Sequence, residues 1–76
     1  MRMAWKRLGV GLAANGAREF YQPAALVWEG GVAVATPLAW KGSADLFTLA
    51  RADGLLVRGE NEGALGVGAV VRVLAI

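Results

Sequence analysis

The chain has no cysteine and no histidine. Cys/His zinc sites, Ser-His and Cys-His nucleophilic pairs and imidazole acid–base catalysis are therefore impossible within it. Without cysteine there is also no disulfide framework, so the default compartment is the cytoplasm. Charged residues make up 18% of the chain and proline occurs twice. Long apolar runs are missing too: Gly, Pro or a charge cuts each one well short of the roughly 18–20 residues that span a bilayer. Asn and Gln are scarce, and six of the eight basic residues are Arg, a composition that leans toward a thermophilic source.

Hydrophobic residues are 57% of the 76. A chain of this length makes one domain, residues 1–76, with a thin core. Its hydrophobicity then reads as closely packed strands, or as a face hidden against a partner. The net charge is +2, but the basic residues are spread along the chain rather than clustered with aromatics, which argues against nucleic acid. Residues 1–14 superficially resemble a signal peptide, with basic residues ahead of an apolar stretch. That stretch is short, holds Gly9 and Gly11 and alternates as a strand does, so it is read as structure. Met1 stands directly ahead of this strand, which favours a natural start.

Asn15-Gly16 and Gly30-Gly31 are hairpin signals. Residues 4–14 are expected to form a strand, with Leu8, Val10 and Leu12 on one side and Arg7, Gly9 and Gly11 on the other. Residues 20–28 make a second strand, which Pro23 places at an edge or a bulge, and residues 32–38 are its hairpin partner. The period then changes. Residues 43–52 read as one short helix with Leu46, Leu49 and Ala50 on a face, Ser43 as N-cap, Asp45 and Arg51 matching the dipole, and Gly54 in the left-handed closing conformation. Residues 55–58 return to strand, 59–68 form a Gly-rich polar loop, and 69–76 are a last strand. This order predicts an all-β fold, a small barrel or folded-over sheet with one short helix.

No acidic residue falls in a catalytic motif, and Glu60 and Glu62 read as solvated loop charges. Gly9, Gly11, Gly66 and Gly68 are expected at bulges and close backbone approaches rather than in a phosphate loop. Lys41-Gly42-Ser43 has a physical basis for function: a cation, a glycine exposing backbone amides and a hydroxyl opening a helix make an anion cradle, although Ser43 also serves as a plain cap. Arg18 would add a second positive group if the fold brings it near. Trp5, Trp28 and Trp40 are read as core or partner-facing, ahead of ligand stacking.

The stretch GSADLFTLARADGLLV resembles the Gly-Ser, short-helix, strand segment of the C-terminal domain of the MoeA/gephyrin family, the molybdopterin molybdotransferases. Gly16-Ala17-Arg18-Glu19-Phe20 is similar to that domain's Gly-x-x-Glu-Phe strand entry, and EGALGVGAVVRVLAI to its closing pattern, so the likeness runs from about Trp5 to the end. It implies a β-clip-like small barrel and a role in molybdenum cofactor biosynthesis. It further implies that this domain forms one wall of an active cleft whose catalytic groups lie on another domain or subunit, so that the chain is not catalytic alone. Molybdate, molybdopterin and Mg2+ are implied for the full enzyme, and none is implied to be held by this chain by itself. Ser43 and Gly42 match positions lining the cleft; Gln22 stands where many members carry Arg, which removes a fixed positive charge that Lys41 or Arg18 would have to supply. Two other readings stand beside this one: a free-standing small-anion or pterin-binding module, and a structural domain that self-associates through Trp5 or Trp28. No membrane partner is expected.

Overall fold

The computed structural model describes residues 2–39 and 46–75. Its elements in chain order are β1 (Arg2–Leu8), β2 (Phe20–Glu29), β3 (Val32–Pro37), α1 (Leu46–Arg51), β4 (Gly54–Arg58) and β5 (Val70–Ala75). The strands close into a barrel in the order β1-β3-β2-β4-β5. All neighbours are antiparallel except β1 and β3, which run parallel. The fold is the expected all-β barrel with one short helix; the expected helix positions 43–45 lie outside the described residues.

Closure requires one side of every strand to face a very narrow interior, where there is room for few large side chains. Leu8, Ala24, Ala35, Leu56, Val71 and Val73 fill it, with Leu12, Leu26, Leu65 and Ala69 packed around them. Alanine on β2 and β3 leaves the volume that leucine on β1 and β4 takes up. Gly54 makes the closest approach, since a Cβ there would lie 2.7 Å from Val73 Cγ1 and 2.8 Å from the Leu74 carbonyl oxygen. The expectation that Gly54 closes the helix in a left-handed turn is thus corrected: it is the first residue of β4, paired with both Ala24 and Ala75, and is required for lack of bulk.

The two hairpin signals part company. Gly30 and Gly31 have φ of 58° and 82° and join Glu29 to its partner Val32, as a two-residue hairpin demands. Asn15-Gly16 makes no hairpin, because β3 lies between β1 and β2 in the barrel. The first strand ends at Leu8 rather than running to residue 14, since the chain bends at Gly9, where a Cβ would meet Val34 Cγ1 at 2.8 Å. Beyond the bend, residues 11–16 run antiparallel to residues 61–65. Leu12 and Leu65 exchange backbone hydrogen bonds of 2.8 and 2.9 Å, and the Asn15 and Asn61 amides donate to the Glu62 and Gly16 carbonyls at 2.8 Å each. Val10, expected on the apolar side with Leu8 and Leu12, is 43% exposed because the bend turns it outward.

Pro23 is fully buried and flanked by β3 and β4, not at an edge. The register explains how a strand interior tolerates it. The Leu38 amide donates to the Pro23 carbonyl at 2.9 Å, so the missing Pro23 N–H would have served the Leu38 carbonyl just past the end of β3. Gln22 Nε2 donates to that carbonyl instead, at 3.4 Å.

Candidate functional site

The chain leaves β3 at Leu38 and re-enters the barrel at Gly54, and this excursion carries the motif singled out in the sequence. Both of its ends are tied to consecutive residues of β2. The Leu38 amide bonds to the Pro23 carbonyl and the Asp53 amide to the Ala24 carbonyl, each at 2.9 Å. Asp53 Oδ2 also accepts from the Leu26 amide at 2.9 Å. Across the excursion, Thr48 Oγ1 on α1 donates to the Ala39 carbonyl at 3.2 Å, which brings the helix back over its own entry. Thr48 is buried, whereas Ala50, expected on the apolar face, is exposed. The side chains of Leu46 and Leu49, expected on that same face, lie outside those described.

Lys41, Gly42, Ser43 and Trp40 lie outside the described residues. Gln22 stands at the base of the excursion, with its amide nitrogen turned to Leu38, so its role there is to complete the backbone pairing beside Pro23. Arg18 is exposed and precedes β2 at the end where Phe20 pairs with Arg58. Its guanidinium makes no hydrogen bond or ion pair among the described residues. Arg18 lies four positions before Gln22, outside β2, and no hydrogen bond joins the two among the described residues.

Sequence reasoning missed a second polar centre. Arg58 is 4% exposed. Its Nε meets Glu62 Oε1 at 2.6 Å, while one terminal nitrogen donates to the Ala13 and Gly63 carbonyls at 2.8 and 3.3 Å. Glu62, expected as a solvated charge, is two-thirds buried in this pair and also accepts from the Gly59 amide. Asn15 Nδ2 donates to the Arg18 and Gly59 carbonyls at 2.8 and 2.7 Å. This network ties the two irregular segments of the barrel together. The available signal was the Arg58–Glu62 spacing, but outside a helix that spacing does not by itself imply contact.

Trp5 and Trp28 are not core, which leaves the partner-facing half of the expectation for them; Trp40 lies outside the described residues. Trp5 is 66% and Trp28 73% exposed. Together with Val32 and Val70 they line a groove of about 460 Å3 where β1 and β3 diverge. Among the described residues, no three acidic side chains come together in a way that could hold a metal ion. None of the described helices is long and apolar enough to cross a membrane.

Fold and excursion define the class first: a small five-stranded barrel of the β-clip kind, with a pinned helical insertion between its third and fourth strands. The model of the family described as the MoeA C-terminal region, domain IV, matches residues 6–76. The chain belongs to that family. Among solved structures, it is similar to the molybdopterin biosynthesis MoeA protein from Pyrococcus horikosii, at 26% identity and a TM-score of 0.69. The match covers 97% of this chain and 17% of that one, so this chain spans a small part of its relative's length. No curated protein sequence matches the chain.

Proposed function

We propose that the barrel forms one wall of a cleft in which molybdopterin receives molybdate, with the catalytic groups supplied by another domain or subunit. The observation that carries this reading is the family match over residues 6–76, which takes in the whole excursion. The excursion's attachment to β2 supports it, because a wall must hold its loop in place while the other side of the cleft does the chemistry. In this role the Lys41 ammonium, the Gly42 amide and the Ser43 hydroxyl face the oxyanions of the substrate. Gln22 contributes no charge, and its hydrogen bond to Leu38 makes it a support for the excursion's first leg. Magnesium would be held by the partner's groups, where it would screen phosphate charge. The compartment that fits this role is the cytoplasm.

The test is isothermal titration of molybdate, in the presence of molybdopterin, into the chain joined to a MoeA-type catalytic domain. Lys41→Ala should weaken molybdate binding by about tenfold, the size expected for losing one charged hydrogen bond. Gln22→Arg, which restores a fixed guanidinium, should tighten it. Unchanged affinity in both variants, or failure of the chain to associate with any such catalytic domain, would remove the cleft-wall role.

A further inference from the structure

The barrel's weakest joint is the parallel contact of β1 with β3. It consists of Arg7↔Val34 and Leu8↔Ala35 alone, whereas β1 pairs with β5 over six residues and β2 with β3 over six. Continuing the same register would pair Lys6 with Ala33. Those two residues instead line opposite sides of the groove of about 460 Å3. Among the described residues, β1 from Arg2 to Lys6 is thus paired on its β5 side only, and Val32 and Ala33 on their β2 side only. Both lips of this seam present strand edges, which in a stable protein are normally covered, charged or paired.

The side chains at the seam specify what would cover it. Trp5 and Val32 stand on the outer face and are exposed. Lys6 pairs with the core residue Val71, and Trp28 pairs with Ala33, so these two belong to the inner face at the barrel mouth. Arg7 adds a second cation and is held by a 3.0 Å bond to the Gly68 carbonyl. Among the described residues, no carboxylate lines the groove and Lys6 has no ion pair. A strand laid along β1 alternates its side chains between the two faces. Its outward residues would meet Trp5 and Val32, and its inward ones Lys6 and Trp28.

We propose that this seam binds an extended segment of a partner protein as an added strand, with apolar residues alternating with carboxylates. The apolar residues pack on Trp5 and Val32, and a carboxylate between them reaches Lys6. A second copy of this chain is the wrong occupant, because a two-fold contact through the seam sets Lys6 and Arg7 against their own copies. The seam lies six residues along β2 from Gln22, about 20 Å. It is therefore separate from the cleft wall proposed above, and either reading can fail without the other.

The test uses the 76-residue chain and three fluorescein-labelled peptides followed by anisotropy: a Val-Glu repeat, a Val-Lys repeat, and the Val-Glu repeat N-methylated at alternate residues. The Val-Glu peptide should bind, less tightly as salt rises, and lose about tenfold in affinity with Lys6→Gln or Trp5→Ala. The N-methylated peptide, which cannot complete the ladder on its blocked edge, should not bind. Binding of the Val-Lys or the N-methylated peptide as tight as that of the Val-Glu peptide would overturn the proposal, as would absence of binding by all three. Sedimentation that shows a dimer dispersed by Trp28→Ala would also overturn it, in favour of self-association.

Discussion

Tyr21 is the chain's single tyrosine, and its hydroxyl donates to Glu19 Oε1 at 2.5 Å. That hydrogen bond first, and the repulsion of a second negative charge by Glu19 next, hold the phenol above its ordinary value of 10. The neutral form is the one the fold favours. Its contribution is therefore complete below the unfolded value near 10 and is lost as pH rises through the higher folded value. Absorbance titration of the phenolate should give a midpoint above 10, and Glu19→Gln should lower it; an unmoved midpoint would show that Glu19 is not the cause. Arg58 is the other residue whose chemistry stands out, because its buried guanidinium serves Glu62, Ala13 and Gly63 at once. Arg58→Met leaves those acceptors without a donor and should cost about 2–3 kcal/mol in chemical denaturation, softened by the partial exposure of Glu62. Glu62→Gln keeps an acceptor for Nε and should cost less. Nothing local in the sequence marks Arg58 as buried, since its partners come from segments that only the closed barrel brings together.

Among the elements, β4 is where the sequence and its setting agree most closely. Its run Gly54–Arg58 alternates little in burial, because β2 and β5 flank it and both of its faces are largely covered. Gly54→Ala would press a Cβ against the Leu74 backbone, which cannot rotate away as a side chain can. The expected loss is about 1–3 kcal/mol, or roughly 4–8 °C in Tm for each kcal/mol in a domain this small. Gly66→Ala, at a site with nothing within 4 Å, should stay within about 0.5 kcal/mol and serves as the control. Equal melting of the two variants would show that the close approach at Gly54 does not limit stability. The Gly30-Gly31 turn was legible because its chemistry is local: two left-handed residues suit glycine wherever they occur. Asn15-Gly16 carried the same signal without the same structure, and Asn15 instead uses its side-chain amide to join residues 18 and 59.

At the scale of the whole molecule, the barrel is unevenly sealed. β4 is bonded along both edges, whereas the β1–β3 seam has two residue pairs. Amide exchange should accordingly be slowest in β4, near the limit set by global unfolding. At the seam, the Trp5 and Ala33 amides, which face the gap rather than β5 or β2, should exchange far faster. Equal protection at both places would mean that the seam is closed in solution, and would remove the strand edges on which partner binding depends. The same unevenness accounts for the exposure of Trp28, an inner-face residue that a chain with a thin core would otherwise have every reason to bury.

The amino-acid sequence by itself determined the strand-rich barrel, a short helix expected over residues 43–52 and described over Leu46–Arg51, the hairpin at Gly30-Gly31 and the family, because each follows from local periodicity, turn chemistry or contiguous motifs. It also excluded any site built on cysteine or histidine. Only the tertiary structure decided that Pro23 lies between two strands, that Glu62 is paired with Arg58, that Gln22 is engaged by Leu38, and that β1 and β3 part to leave an open seam. Those outcomes depend on register and closure, which bring together residues far apart in the chain, and no local pattern encodes which of them will meet.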